Sequence, residues 1–488
     1  MFKALRQIGD FFFHRHKPAA KKVKEPEYVS QAVAIPYALV TLLLLAFQGV
    51  AATFGATEAV FPNLPSPVRA EVGRAVHLNI AVFWPLLGSM GMVYYFFIQE
   101  AEKELYSLRL AWLQFFVLIA SGLGAITFLA FGLMRGMEYR EAALVFDLGI
   151  AVGLAIFVYN LTRTYFLSAV RGRVTMLGML SGAISLIVLF IPNLIEYVHP
   201  TIDEIIRFWV VHMWEELSKE LLLIGALVAF LLTVGKARRK TLEKLLFLQL
   251  ALLIVGATFA TGHHYYWIGT PPMWLWIGGI FSVIQVAALF LLAYIFYLGI
   301  REVPWGSLNF GARLSLGFTF ASVVYHVAGA AMLGMLLAVP HFNRYARATY
   351  LTSSHAHLAL FGAVGMLVLA GCTYILTRDS HWPKQQKNWA VWGFLLLNAG
   401  LIIMGGALAV AGLLQTYLVR IVGMDYAVAH QLLHPYLLMR ALGGGVFAVG
   451  GLLYAGAVLY VLWLRRHNLL QSLLQKRETN EKKVDDEA

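Results

Sequence analysis

The chain has 488 residues, 60% of them hydrophobic and 13% charged, with a mean hydropathy of +0.71, which excludes a soluble protein of this length. Its net charge of +12 sits in short basic stretches between apolar runs, so it reads as membrane orientation and not as nucleic-acid binding. The one cysteine, Cys372, excludes an intrachain disulfide, a C-x-x-C-H haem attachment and any thiolate-held cluster or copper site; electrons must then arrive from another protein or from a quinol.

Apolar runs long enough to cross roughly 30 Å of hydrocarbon predict an all-α integral membrane fold of twelve helices. They lie near 32–54, 74–98, 108–134, 144–166, 173–193, 203–233, 240–262, 272–299, 312–338, 349–376, 386–415 and 441–465. The simplest division is a basic N-terminal tail over 1–31, one catalytic membrane domain over 32–465, and a charged C-terminal tail over 466–488, both tails solvated and partly disordered. KPAAKKVK, Arg171 with Arg173, KARRK, and Arg465 with Arg466 fall on one side of an even number of spans. That predicts both termini in the cytoplasm. The first apolar run follows about thirty residues and is long enough to remain as an anchor, so no cleavable signal is expected.

Histidine in hydrocarbon is costly and points to function by default, and six of the fifteen lie in apolar stretches at metal-ligand spacing. In the second helix, His77 could complete a six-coordinate haem with one histidine of the tenth; a lone membrane histidine could instead bond a backbone carbonyl. Arg74, one turn earlier, is placed to neutralise a haem propionate. In the sixth helix, VVHMWEELSKELLL places His212, Glu216 and Glu220 at four-residue intervals, hence on one face. Glu215 and Lys219, also four apart, can form an ion pair, with proton relay as the other reading. His263 and His264 close the seventh helix. With His212 and Glu216 they would make a site of three nitrogens and one oxygen, and carboxylate oxygen is a hard ligand that suits iron better than copper. His326 of the ninth helix has no place in this scheme and is expected to be packed or hydrogen-bonded. In the tenth helix, His355 and His357 project about 200° apart, so one helix can hold two different haems, the one on His355 facing the non-haem iron. Cys372, in the same helix, reads as a small buried hydrophobe.

Seven stretches, VSQAVAIPY, RAVHLNIAVFWPLLGSMGMVYY, KELYSLRLAW, GMEYREA, FWVVHMWEELSKE, TGHHYYWIGTPPMWLWIGGIFS and SSHAHLALFG, resemble the catalytic cytochrome b subunit of bacterial nitric oxide reductase, a branch of the haem-copper oxidase superfamily. The resemblance runs over nearly the whole length, and TGHHYYWIG is its most specific part. It implies a subunit I-like bundle. It implies two haems b, a low-spin one on His77 and His357 and a high-spin one on His355, and a non-haem iron on His212, His263, His264 and Glu216. Glu220 matches a second glutamate below the site and, with Glu216, takes a catalytic role; Arg74 and Arg440 match propionate partners. Glu138 and Glu141 match a pair that binds structural calcium on the periplasmic side, where a proton route opens and where Asp147 adds another carboxylate. Two positions depart from the pattern. Gln285 stands where a glutamate is usual, and Lys219 replaces the usual aromatic residue, marking a divergent branch.

The expected activity is reduction of two nitric oxide molecules to nitrous oxide and water, with electrons from a separate haem c or copper subunit in a bacterial or archaeal cytoplasmic membrane. The nearest rival is an oxygen reductase of the same superfamily, many members of which carry tyrosine where this chain has Glu216. A nitric oxide dismutase would be expected to have altered iron ligands. A rival of another class is a secondary transporter, since twelve helices with buried charges also suit carriers.

Overall fold

The computed structural model describes residues 28–61, 69–137 and 139–486, side chains excepted at 53–59 and beyond 466. Among the described residues, twelve helices are long and apolar enough to span a membrane: α1 Val29–Ala52, α2 Ala70–Ala101, α3 Leu108–Ala130, α4 Leu144–Leu167, α5 Val174–Leu194, α6 Pro200–Val234, α7 Arg239–Tyr265, α8 Met273–Ile300, α9 Phe310–Ala338, α10 Tyr350–Thr377, α11 Lys384–Ile421 and α12 Tyr426–Arg466. No strand occurs among the described residues. Helices alone satisfy every backbone group internally in hydrocarbon, and hydroxyls inside the spans turn back on the preceding turn, as Thr41 does on the Tyr37 carbonyl (2.8 Å) and Thr373 on that of Leu369 (2.7 Å).

Burial sorts the helices into a centre and a rim. The most apolar stretches of α2, α6 and α10 are 94%, 83% and 83% buried, whereas those of α4 and α8 are each 33% buried. The central helices carry the singled-out histidines: His77 is on α2, His212 on α6, His355 and His357 on α10, with the His263–His264 turn closing against them from α7.

The ends of the bundle are pinned by charge. Arg173, after α4, donates to the Glu100 carbonyl (2.7 Å), and Arg239, opening α7, reaches the Glu100 carboxylate with two nitrogens at 2.5 and 2.9 Å. The basic loops after α4 and α6 therefore share one end of the bundle, as the charge pattern predicts.

The last span differs most from the sequence reading, at both ends. The last span starts at Tyr426, not near 441, because Asp425 caps it, its carboxylate accepting from the backbone N–H of Ala427 (2.9 Å) and Val428 (3.3 Å). The mixed run YAVAHQLLHPYLLMR gives no continuous hydropathy signal. The same helix runs on to Asp486, so the segment from 466 is a helical extension and not an irregular tail; residues 1–27 lie outside the described ones.

Candidate metal centre

Helix α6 departs from α geometry at the site: Val211–Ser218 forms π-helical turns, of the kind that cluster at functional positions. From this segment His212, fully buried, directs Nε2 at the Ala257 carbonyl, 3.1 Å away. A carbonyl only accepts, so Nε2 carries the hydrogen and Nδ1 presents a lone pair. That lone pair faces His264 Nε2 at 3.3 Å and Glu216 Oε2 at 3.2 Å. One nitrogen from each of His212, His263 and His264 lies within 4.8 Å of the others. His263 has its tautomer set the same way: Ser282 Oγ spends its hydrogen on the Gly278 carbonyl (2.6 Å) and so accepts from His263 Nδ1 at 3.2 Å, leaving Nε2 free. Lone pairs and a carboxylate converging in this manner fit a metal cation, with outer oxygens orienting the rings.

The turn carrying the histidine pair is tight. His263 and His264 lie on a 3-10 turn, Thr261–Tyr265, and a Cβ on Gly278 of α8 would come within 2.5 Å of His263 N, so glycine is required for α8 to approach so closely. His264 stacks on Phe208 (centroids 5.6 Å apart, planes 14° apart), over which the Arg347 guanidinium sits at 5.9 Å. Arg347 also donates to the Tyr266 carbonyl, and Trp267, at φ 65°, donates to Asn343 at 2.9 Å.

On α10 the two histidines diverge as the 100° step requires. His355 gives its Nδ1–H to the Gly329 carbonyl of α9 (2.9 Å), and a Cβ on Gly334 would press on its ring at 2.9 Å. His357 gives its own to Ser353 (2.7 Å) and turns to His77, with ring centroids 6.2 Å apart and planes 24° apart. His77 Nδ1 is buried without a hydrogen-bond partner, an orphan of the kind that marks a group held by something besides protein. The Phe361 ring lies 5.7 Å from His357 and 6.2 Å from His77, and Arg440 acts electrostatically on both. The geometry fits a metal group between His77 and His357 and another on His355.

The carboxylates separate. Glu216 stays with His212, and Glu220 Oε1 lies 2.9 Å from His326 Nε2 on α9. Lys219 is fully buried, pairs with Glu215 as expected, and lies 3.4 Å from the Val82 carbonyl and 5.6 Å from the Trp214 ring. Removing one partner of such a pair leaves the other charge uncompensated. Lys219→Met is therefore expected to cost about 3–5 kcal/mol, with the Lys219→Met/Glu215→Gln double variant milder; thermal unfolding of the purified protein would measure both, and an unchanged midpoint in the single variant would contradict the pairing.

At the end of the bundle near His77, Glu141 lies 3.4 Å from Asn79 and 4.0 Å from Arg74, and burial pushes its carboxyl above the ordinary range. Asp147 meets Arg135 at 3.3 Å. Glu138 lies outside the described residues. Gln285 is half-buried on α8, its backbone packed against Gly256 of α7. Sequence reasoning missed the oxygens that set the ring tautomers, those of Ala257, Ser282, Gly329 and Ser353. Three of them are backbone carbonyls, which leave no mark in a sequence.

Residues 32–446 match the family model described as "Cytochrome C and Quinol oxidase polypeptide I". Over 466 residues, 88% of this chain and 94% of the relative, the sequence is 30% identical to the B subunit of nitric oxide reductase from Stutzerimonas stutzeri. Shorter likenesses extend to a cytochrome c oxidase subunit 1 homolog of Agrobacterium tumefaciens, 30% identical over 133 residues that make up 25% of this chain and 24% of that one. A bacteroid homolog from Bradyrhizobium diazoefficiens is 28% identical over 142 residues, 27% of this chain and 24% of that protein.

Proposed function

Because the chain belongs to the haem-copper oxidase subunit I family, a membrane oxidoreductase family, we propose that it reduces nitric oxide, converting 2 NO, two protons and two electrons to N₂O and H₂O. The observation that carries this reading is Glu216, whose carboxylate lies 3.2 Å from the lone-pair nitrogen of His212 beside His263 and His264. A carboxylate there favours iron over copper, at the position where many oxygen reductases carry tyrosine. The nearly full-length likeness to a nitric oxide reductase chain, against quarter-length likenesses to oxidase homologs, supports it further.

In this reading His77 and His357 would hold a low-spin haem b, His355 a high-spin haem b, and His212, His263, His264 and Glu216 a non-haem iron. Bound there, the metals would supply electrons and Lewis acidity to the substrate. The protein's part is positional. The Gly329 carbonyl orients His355, Ser282 orients His263, and Ala257 orients His212, so the ligand set is fixed before substrate arrives and two substrate molecules can be held in a reactive orientation. Glu216 offsets positive charge in a buried site, where an uncompensated ion is costly. Glu141, near Arg74 and Asn79, would take part in proton entry and, with Glu138, would hold calcium. Arg440 and Arg74 would face haem propionates. A separate haem c or copper subunit would deliver electrons, and both termini would be cytoplasmic. Family membership leaves the transporter reading without support.

The test is metal analysis and gas consumption on the purified complex with its donor. The expected outcome is N₂O formation, about three iron atoms per chain and no stoichiometric copper. Copper in the three-histidine site together with faster oxygen than nitric oxide consumption would move the assignment to oxygen reduction, which family membership also accommodates.

A further inference from the structure

We propose that Glu220 and His326 form a buried one-proton store beside the reduction site; this rests on the reading of that site as one that consumes protons, and holds for nitric oxide or oxygen as substrate. His326, 2% exposed, opens the π-helical segment His326–Leu333 of α9. Its Nδ1 lies 2.9 Å from the Ser322 carbonyl, and the neighbouring Ser322 hydroxyl, 3.3 Å away, donates to the Ala363 carbonyl at 2.6 Å. Both oxygens can only accept from the ring, so Nδ1 carries a hydrogen. The other nitrogen, Nε2, lies 2.9 Å from Glu220 Oε1. An imidazole lone pair and a carboxylate oxygen repel at that distance unless a proton lies between them. The pair therefore holds one proton, as imidazolium with carboxylate or as imidazole with carboxylic acid, and is neutral overall either way.

Both partners adjoin the metal-binding residues along the chain. Glu220 follows Glu216 by four residues on α6, and His326 precedes Gly329, whose carbonyl orients His355, by three on α9. Giving up the proton leaves imidazole and carboxylate with a net charge of −1, and no electron moves. The nearby cation, Lys219, is engaged with Glu215 and the Val82 carbonyl and does not balance that charge. An unbalanced charge in the membrane interior is costly, which drives recovery of a proton. Glu220 Oε2, buried without a hydrogen-bond partner, is the free acceptor at which the replacement can arrive.

The test is infrared difference spectroscopy of the complete enzyme, with electrochemical reduction of its metals, in H₂O and D₂O. The expected wild-type signal is a deuterium-sensitive carboxyl band accompanied by an imidazole band that moves on isotopic labelling of histidine, both absent in Glu220→Gln. In His326→Gln, which can still donate a hydrogen bond but holds no titratable proton, the carboxyl band shifts. Haem spectrum and iron content stay at wild-type levels in this variant, while proton uptake in a single turnover slows by about 10²-fold. Wild-type proton uptake in His326→Gln, or a wild-type spectrum with no band dependent on both Glu220 and histidine, overturns the proposal. Should His326→Gln fail to assemble, the wild-type spectrum alone decides. Should the enzyme reduce neither gas, the proposed function fails, whereas the infrared signal still reports whether the pair shares a proton.

Discussion

His263→Ala is expected to remove one iron atom per chain and to lower turnover by well over about 100-fold, while both haem signals persist. The ring's Nε2 is the nitrogen left free by the bond from Nδ1 to Ser282, so truncation deletes a ligand and not merely a polar contact. Ser282→Ala supplies the internal comparison, because loss of an outer-shell partner typically costs about 10–100-fold in affinity or activity. Glu216→Gln should fall between the two, since an amide oxygen keeps the shape of the carboxylate and loses its charge. The measurement is iron per chain by elemental analysis beside the haem absorption spectrum. A His263→Ala protein with full iron content and wild-type turnover would remove the three-histidine site from the reaction.

The second expectation divides α10 between its two histidines. His357→Ala should abolish the low-spin haem signal and leave the high-spin one; His355→Ala should do the reverse. The reason is directional: His357 turns toward His77, 6.2 Å between ring centroids, and His355 toward α9, where Gly329 holds it. His77→Ala should reproduce the His357→Ala spectrum. Loss of the same spectral component from His355→Ala and His357→Ala would show that the two side chains serve one group.

The twelve spans, the placement of basic loops at one end, the divergence of His355 from His357 and the gathering of His212, His263 and His264 were legible in the sequence. Each depends on a property with a strong one-dimensional trace: hydropathy over about twenty residues, charge near helix ends, and the 100° step of an α-helix. What was not legible depends on departures from that step. The pairing of Glu220 with His326 joins residues 106 positions apart, and the π-helical turns over Val211–Ser218 leave no periodic trace in the sequence. His326 reads in the sequence as a packed or hydrogen-bonded residue, and it is hydrogen-bonded, to Ser322 and Glu220. The early start of α12 was hidden by a sequence that mixes His, Gln and Pro with leucine, although Asp425 is the kind of residue that opens a helix.

The irregular turns of α6 also bear on how such a chain can diverge. A π-helical segment amounts to one residue more than the α-helix would use, so the two halves of α6 are phased independently. Deleting the extra residue within Val211–Ser218 would leave the half from Lys219 onward in phase, whereas a deletion in a regular α turn would swing that half by about 100° and take Lys219 off Val82 and Glu220 off His326. Conversely, the half that begins at Lys219 can exchange its residues and partners while the half that presents His212 to the histidine pair keeps its aim. The extra residue thus works as a mechanical clutch between the ligand-bearing and the packing halves of one helix.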